Sequence, residues 1–254
     1  MTEQRRHHYL KAMGLIIWQR RLPPDAGGEE ESQEDLQDAR LHDPEIIVAR
    51  PDSIDEAPPV REASKGMELD WQGLQQTVKA CRACALRGGC TQTVFGVGNH
   101  QAELLVIGEA PGADEDRQGE PFVGRAGQLL NAMLLAIGYK REAVYIANIV
   151  KCRPPNNRDP SAEEALSCEP YLLRQIELIK PKVILSVGRI SAQNLLKSDI
   201  AVGKLRGRIH HFGSQGIPLV VTYHPAYLLR SPEQKAKAWQ DLLLALSVVR
   251  ENRG

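Results

Sequence analysis

Leu104-Leu105-Val106-Ile107-Gly108-Glu109-Ala110-Pro111-Gly112 is an apolar run that ends in a Gly-rich polar turn. Similar short apolar runs occur at 144–147, 183–187 and 219–222. Helical periodicity fills the segments between them, roughly 126–138, 161–179, 190–197 and 233–248. Strands that alternate with helices predict an α/β fold with a mainly parallel sheet covered on both faces.

Three of these predicted strands end in polar or Gly-rich residues. The turn 108–112 follows the first, Asn148 follows the second, and His224-Pro225 follows the last. Because ligands of open α/β sheets bind outside the carboxyl ends of the strands, we expect the functional site there.

The composition indicates a globular protein. The chain has 254 residues, of which 42% are hydrophobic, enough for one sizeable core. No stretch approaches eighteen uninterrupted apolar residues, and the N-terminus opens with Glu3, Arg5, Arg6, His7 and His8 instead of a charged start followed by an apolar signal core. We therefore expect a soluble, cytoplasmic protein without a membrane partner.

Charge is unevenly distributed along a chain whose net charge is zero. Residues 1–80 contain 10 basic and 16 acidic side chains, whereas residues 81–254 contain 22 basic and 16 acidic ones. The basic C-terminal part permits phosphate binding, although a mixed solvated surface explains it equally well.

The chain divides into three segments by composition. Residues 1–24 contain a predicted amphipathic helix at 4–21, and residues 25–65 are acidic, with Glu29-Glu30-Glu31 and Pro58-Pro59, as is typical of a flexible linker. Residues 66–254 carry the predicted domain, which begins with a helix from about Leu69 that leads into Cys81.

Four of the five cysteines form the pattern Cys81-x-x-Cys84, Cys152 and Cys168. Spacing alone favours zinc and a [4Fe-4S] cluster equally and leaves unliganded thiols as a third interpretation. Cys90 is the odd cysteine, and we interpret it as a small buried residue.

The turn after the first strand continues as Ala113-Asp114-Glu115-Asp116 and is followed by Gly119-Glu120-Pro121-Phe122-Val123-Gly124-Arg125-Ala126-Gly127. A zinc-bearing nucleotide-binding protein is one interpretation. It is weak because the turn lacks the G-x-G-x-x-G order and Glu109 would repel a pyrophosphate.

These segments occur with Tyr145-Ile146-Ala147-Asn148-Ile149-Val150-Lys151-Cys152-Arg153-Pro154-Pro155 and with His224-Pro225-Ala226-Tyr227-Leu228-Leu229-Arg230. Together they closely resemble the family 4 uracil-DNA glycosylases, in the same order, from about Leu69 to Leu246. The resemblance implies a three-layer α/β/α fold with a central, mainly parallel four-stranded sheet. It also implies hydrolysis of the N-glycosidic bond of deoxyuridine in DNA.

The resemblance further implies the cofactor and the partner. The cofactor would be a [4Fe-4S] cluster held by Cys81, Cys84, Cys152 and Cys168. The partner would be uracil-containing DNA, single- or double-stranded, bound by a monomeric catalytic unit.

Substrate-binding residues follow from the need to flip uracil out of the duplex. Phe122 offers a flat face for the flipped base, with packing in the core as the alternative role. Asn148 offers a donor and an acceptor that match uracil O4 and N3–H. Gly108 and Ala110 belong to the same predicted substrate site.

Catalysis requires stabilisation of the negative charge that develops on uracil O2. The family pattern gives this role to His224, acting by hydrogen bonding. Glu109 is the preferred carboxylate for orienting the attacking water, because it lies closest to the strand end. Glu115 or Asp116 would share that task.

Two further residues of the last motif are predicted to contact DNA. Leu228 resembles the apolar wedge that fills the space left by a flipped base, and Arg230 would meet phosphate. An exposed leucine and a solvated arginine are the alternatives.

Two alternative functions keep the same fold. A related branch captures uracil-DNA covalently through a histidine, and Arg206-Gly207-Arg208-Ile209-His210 keeps that histidine as His210. A non-catalytic DNA-binding or replication-adaptor protein is the other alternative, which intact Glu109, Asn148 and His224 argue against.

The N-terminal segment Arg5-Arg6-x-x-Tyr9-Leu10-x-x-Met13-Gly14-Leu15-x-x-Trp18-x-x-Arg21 resembles the N-terminal peptide of the psi subunit of the DNA polymerase III clamp loader. This likeness implies that residues 4–21 bind the clamp loader and that the linker tethers the enzyme nearby. A helix that folds back on its own domain is the equal alternative.

Overall fold

A mixed six-stranded sheet forms the centre of the computed structural model, which describes residues 68–251. Its strands are β1 (Val97–Gly98), β2 (Leu104–Gly108), β3 (Tyr145–Asn148), β4 (Val183–Val187), β5 (Ile209–Phe212) and β6 (Ile217–Thr222). Their order across the sheet is β1-β3-β2-β4-β6-β5. The segments 1–24 and 25–65, with the predicted helix 4–21, lie outside the described residues and stay predictions.

The four strands expected from the apolar runs form the parallel centre of the sheet. Strand β2 pairs in parallel with β3 and β4, and β4 pairs in parallel with β6. The prediction of a four-stranded sheet is nevertheless wrong, because β1 and β5 add antiparallel edges. Strand β1 has only two residues, and Ile209-His210-His211-Phe212 lacks an apolar run, so neither carries the pattern of a buried strand.

Helices connect the strands. They are α1 (Trp71–Ala80), α2 (Leu86–Gly89), α3 (Ala113–Gln118), α4 (Arg125–Ala136), α5 (Ala162–Ile179), α6 (Arg189–Leu196), α7 (Val202–Leu205), α8 (Pro225–Arg230) and α9 (Lys235–Glu251). Short 3₁₀ turns occupy Arg141–Ala143, Pro155–Asn157 and Pro232–Gln234. None of the helices within residues 68–251 is long and apolar enough to cross a membrane.

The apolar core lies on both faces of the sheet. Alternate residues of β2 point to opposite faces: Val106 packs in one cluster with Leu134 of α4 and Leu242 of α9. Ile107 packs in the other cluster with Ile176 of α5. Helices therefore cover both faces, which gives the three layers expected of a mainly parallel sheet.

The register of the parallel strands places the predicted site at one edge. Gly108 of β2 lies beside Asn148 of β3, and the Gly188 amide, just after β4, donates to the Thr222 carbonyl of β6 at 2.9 Å. The residues that follow these strands, including Glu109 and His224, therefore meet at the carboxyl edge of the sheet.

Candidate active site

One cavity of about 750 Å³ opens at this edge. Seven of the residues singled out in the sequence line it, namely Glu109, Ala110, Glu115, Phe122, Asn148, His224 and Arg230. They come from segments that are far apart in the chain, so the fold gathers them into a single site. Such a concave site with convergent polar groups is the usual form of an active site.

Asn148 and Phe122 meet above Gly108. A Cβ atom added to Gly108 would lie 2.5 Å from Asn148 Oδ1 and 2.6 Å from Phe122 Cζ, so this position has room only for glycine. Asn148 is 2% exposed. Its Oδ1 atom has no hydrogen-bond partner within the part of the chain that the structure describes. A buried acceptor without a partner is costly, which indicates that a ligand supplies the missing donor.

The buried Lys151 side chain hydrogen-bonds to the backbone of Asn148. This lysine is 1% exposed, and its Nζ atom donates to the Asn148 carbonyl at 3.0 Å and to Gln175 Oε1 at 2.6 Å. Burial lowers the pKa of Lys151 to about 8. The sequence analysis quoted Lys151 within the 145–155 motif but gave it no role, because the sequence carries no signal that a lysine is buried.

Phe122 is fixed in a backbone conformation that is rare for a residue with a side chain. Its φ is +53°, and its side chain is 7% exposed. Arg141 donates to the carbonyl oxygens of Pro121 and Phe122. A Cβ at Gly127 would lie 1.8 Å from the Phe122 carbonyl oxygen, so Gly127 permits this close approach. These contacts orient the ring toward the cavity.

Glu115 and Asp116 bind backbone and side-chain donors of the protein itself. Glu115 accepts hydrogen bonds from the amides of Gly112, Val123 and Gly124 at 3.1, 2.9 and 3.1 Å. Asp116 is 4% exposed and accepts from the Thr91 amide and hydroxyl. Glu115 thus caps α3 and holds the loop that carries Phe122, and Asp116 is not among the residues that line the cavity.

Glu109 has a carboxyl group with an altered acidity. Burial raises the pKa of Glu109 to about 7, and Asp159 contributes in the same direction, while Arg189 acts against it. Asp159 and Arg189 also line the cavity. Neither was predicted. Arg189 could have been found from its position in the sequence, because it begins α6 two residues after the end of the predicted strand β4.

His224 caps the N-terminus of α8. Its Nδ1 atom accepts from the Ala226 amide at 3.1 Å, which leaves the ring proton on Nε2. The ring centroids of His224 and Phe122 are 5.6 Å apart, with their planes at 31°. Burial, followed by the charge of Arg230, lowers the pKa of His224 to about 4, against a weaker opposite effect of Glu115. The imidazole is therefore neutral at pH 7 and can donate only through Nε2.

Leu228 does not lie where an apolar wedge would be. It is 1% exposed and belongs to the core cluster, whereas Leu229 is 38% exposed. The assignment of the wedge to Leu228 is therefore corrected, because the turn of α8 directs Leu228 into the core and leaves its neighbour at the surface. Arg230 is exposed at the end of the same helix.

His210 lies on the edge strand β5 and is not among the residues that line the cavity. Its Nε2 atom is 2.7 Å from the Leu205 carbonyl oxygen. This position offers no support for covalent capture through His210.

Cys81, Cys84, Cys152 and Cys168 line a second, smaller cavity. Cys81 Sγ accepts from the Tyr171 hydroxyl at 3.2 Å and from the Ala83 amide at 3.4 Å. Cys168 Sγ accepts from the Lys151 amide at 3.3 Å. Among residues 68–251, no three His, Cys, Asp or Glu side chains form a group that could hold a metal ion.

Cys90 is 9% exposed, as expected of a buried residue, and it is absent from the lining.

A neutral imidazole, a carboxyl group and a buried amide oxygen without a partner thus surround one cavity at the carboxyl edge of an α/β sheet, an arrangement typical of enzyme active sites. The Uracil DNA glycosylase superfamily matches residues 95–243 of the chain.

Individual relatives indicate to which type of uracil-DNA glycosylase the chain is most similar. The chain is 45% identical over 170 residues to the type-4 uracil-DNA glycosylase of Archaeoglobus fulgidus, covering 65% of this chain and 85% of the relative. It is 42% identical over 182 residues to the type-4 uracil-DNA glycosylase of Thermotoga maritima, covering 70% and 94%. A type-5 uracil-DNA glycosylase of Pyrobaculum aerophilum is 30% identical over 149 residues, covering 52% and 64%.

The chain therefore belongs to the type-4 uracil-DNA glycosylases, a family within the uracil-DNA glycosylase superfamily. The family predicted from the three sequence motifs is confirmed. These comparisons do not extend to the likeness of residues 4–21 to the psi peptide, which stays a prediction.

Proposed function

We propose that this protein hydrolyses the N-glycosidic bond of deoxyuridine in DNA and leaves an abasic site, as the first step of base excision repair. The observation that carries the proposal is the unpaired Asn148 Oδ1, held beside Phe122 in the same cavity as Glu109 and His224. The family to which the chain belongs supports the same reaction.

Recognition of uracil rests on Asn148 and Phe122. A flipped uracil presents N3–H, which Asn148 Oδ1 accepts, and O4, to which the amide NH₂ donates. Cytosine has an acceptor at N3 and an amino group at C4, so both contacts would be lost. Phe122 supplies the flat surface against which the base stacks, and Gly108 and Ala110 leave room for the ring.

Bond cleavage moves the electron pair of the C1′–N1 bond onto uracil and leaves positive charge on the sugar. The neutral His224 donates through Nε2–H to O2, where the negative charge develops. Glu109 orients water toward C1′ and accepts its proton as the C1′–O bond forms. The proton taken from water is then transferred to N1 of the uracil anion. Free uracil and an abasic deoxyribose are the products.

Glu115 contributes to this reaction indirectly, by holding the loop that carries Phe122. Three backbone amides occupy its carboxylate, which leaves Glu109 as the better candidate for contact with water. Arg230 is placed to meet a DNA phosphate, and Leu229 replaces Leu228 as the proposed wedge.

We propose that Cys81, Cys84, Cys152 and Cys168, which line the second cavity, hold a [4Fe-4S] cluster. A cluster spreads four thiolates over separate iron atoms, whereas tetrahedral zinc requires all of them about 2.3 Å from one point. Four cysteines around a shared cavity and membership of the type-4 family support the cluster. Two amide donors and the Tyr171 hydroxyl supply hydrogen bonds to thiolate sulfur. When bound, the cluster would link the end of α1 to β3 and α5.

The segment assignment is part of the proposal: residues 66–254 form the catalytic domain, 25–65 a flexible linker, and 1–24 a peptide that binds the clamp loader. Such a tether would raise the concentration of the enzyme near the replication machinery. We also propose that the catalytic unit is monomeric and cytoplasmic, as the sequence analysis predicts. A pull-down with residues 1–24 that recovers no clamp-loader component would remove the tether.

The function is tested with a labelled oligonucleotide that contains one uracil. After incubation and alkali, wild-type protein should yield a cleaved strand on a denaturing gel, and Glu109→Ala and His224→Ala should lose most of this activity. A slow-migrating protein–DNA band without alkali-labile product would indicate covalent capture instead. Binding without either product would indicate the adaptor function.

A further inference from the structure

A buried lysine connects the residue proposed to read uracil with helix α5. Lys151 is 1% exposed and is not among the residues that line the active-site cavity. Its Nζ atom donates to the Asn148 carbonyl at 3.0 Å and to Gln175 Oε1 at 2.6 Å. The reaction proposed above assigns no role to this side chain.

The Gln175 amide is fixed in one orientation. Gln175 is 0% exposed on α5, and its Nε2 atom donates to the Phe95 carbonyl at 2.9 Å and to the Tyr145 hydroxyl at 3.4 Å. A flipped amide would set its NH₂ group against the Lys151 ammonium and its oxygen against the Phe95 carbonyl, so both contacts would become unfavourable. Gln175 therefore presents an acceptor to Lys151 and fixes the position of Nζ.

The backbone of Lys151 is anchored separately from its side chain. Its amide donates to Cys168 Sγ at 3.3 Å, and its carbonyl accepts from the Val94 amide at 2.7 Å. Burial of an ammonium group is costly unless its hydrogens are bonded, and the Asn148 carbonyl and Gln175 meet that need. Lys151 is therefore a rigid donor directed at the backbone of Asn148.

The position of the Asn148 amide depends on this backbone. Asn148 is 2% exposed, and its Oδ1 atom has no hydrogen-bond partner in the described part of the chain. Because the side chain is short, a shift of the Asn148 backbone moves Oδ1 with it. Groups that contact a substrate must be held to within a fraction of an ångström by the residues behind them.

We propose that Lys151, held by Gln175, is a positioning residue that sets the Asn148 amide for its contacts with the edge of uracil. This inference rests on the proposed function and deepens the recognition step of the same site. Lys151 itself touches neither the base nor the reacting bond.

The test separates recognition of the base from binding of the DNA strand. Two single-stranded oligonucleotides differ at one position: the first carries 2′-fluoro-2′-deoxyuridine, whose fluorine destabilises positive charge on the sugar and prevents cleavage. The second carries a tetrahydrofuran abasic analogue. The ratio of their dissociation constants measures the preference for uracil. Lys151→Met removes the ammonium group and should lower this preference about tenfold, the equivalent of one net hydrogen bond.

A double-variant cycle shows whether the effect passes through Asn148. In an Asn148→Ala background the amide is absent, so Lys151→Met should cause no further loss of the preference for uracil. Phe122 would still stack on the base in that background, so a further loss would be measurable. A general disturbance of the fold would instead weaken the binding of both oligonucleotides by a similar factor.

Two further variants complete the experiment. Gln175→Leu removes the acceptor of Lys151 and should lower the preference for uracil by a smaller factor, which tests the inference even if Lys151→Met does not fold. Arg174→Met is the matched control, because it removes a neighbouring cation of α5 that donates to the Leu69 carbonyl at 2.8 Å. It should leave the preference unchanged. Circular dichroism identifies any variant that does not fold.

An unchanged preference in the folded variants, or an equal loss with and without the Asn148 amide, would overturn the role of Lys151 and leave the proposed function intact. Absence of both uracil release and a preference for the uracil oligonucleotide in the wild type would overturn the proposed function itself. A loss that disappears in the Asn148→Ala background would support the inference.

Discussion

The Phe122 ring and the Asn148 side chain converge on Gly108, where a Cβ atom would lie 2.6 Å from Phe122 Cζ and 2.5 Å from Asn148 Oδ1. One glycine at the end of β2 thus leaves room for both the residue proposed to stack on uracil and the residue proposed to read its edge. Their separation depends on the absence of a single methyl group.

Gly108→Ala should reduce the rate of uracil release by about a hundredfold, because displacement of catalytic-site groups by about 1 Å has effects of that size. The measurement is the single-turnover rate on a uracil oligonucleotide, with thermal unfolding to show that the fold persists. Gly88→Ala is the matched control, since a Cβ at Gly88 meets no atom within 4 Å. Equal rates for Gly108→Ala and wild type would contradict the placement of uracil over Gly108.

His224→Gln should lower the rate by roughly a hundredfold, the usual cost of removing a donor to a developing anion. Because the pKa of His224 is lowered to about 4, its ring stays largely neutral between pH 8 and pH 5 and imposes little loss of activity there. Nitrogen NMR of the imidazoles should show the signal that His224→Gln removes as a neutral ring protonated on Nε2. A charged His224 at pH 7 would refute the neutral-donor mechanism.

The proposed cluster predicts a brown protein with about four iron atoms per chain, and Cys152→Ser should abolish the colour and reduce the iron content. The loss of a link between β3, α1 and α5 should also lower the unfolding temperature. Cys90→Ser is the control, because Cys90 lies beside the Cys152 thiol but does not line the cysteine cavity. If Cys152→Ser kept its iron and Cys90→Ser lost it, Cys90 and not Cys152 would be the cluster ligand.

Arg206→Met should destabilise the fold by about 3 kcal/mol, because it leaves a buried carboxylate without its cationic partner. Asp241 is 0% exposed and accepts from Arg206 Nε at 3.0 Å and Nη2 at 2.9 Å. Burial raises the pKa of Asp241, and Arg206 opposes that rise. Urea unfolding measures the change in the free energy of unfolding.

The control for Arg206→Met is Arg117→Met, which breaks the ion pair between Arg117 and Asp114, with side chains 72% and 48% exposed. Exposed pairs contribute little, so this change should stay below about 1 kcal/mol. Similar destabilisation by both variants would show that burial of Asp241 does not set the cost.

Leu229→Ala should reduce uracil release from double-stranded DNA more than from single-stranded DNA, because only a duplex leaves a gap when the base is flipped. The ratio of the two rates is the measurement. Leu243→Ala is a suitable control, because Leu243 is similarly exposed, at 41%, on α9. An unchanged ratio in Leu229→Ala would remove its role as a wedge.

The sequence by itself determined the parallel centre of the sheet and the residues that follow each strand. Apolar periodicity is a local property, so the runs at 104–107 and 183–187 mark buried strands without knowledge of their neighbours. Glu109, Asn148 and His224 then share an edge because parallel strands end on the same side of a sheet.

Only the tertiary structure decided which side chains are buried and which groups interact across the site. Leu228 and Leu229 are identical in type and adjacent in sequence, and only the packing of α8 directs the first into the core. Lys151 can be buried because Gln175, on α5, accepts a hydrogen bond from its Nζ atom. Asp159 and Glu109, fifty residues apart in the chain, line the same cavity because the loop before α5 passes the end of β2. Burial and charge pairing depend on neighbours in space, and a local pattern carries no record of them.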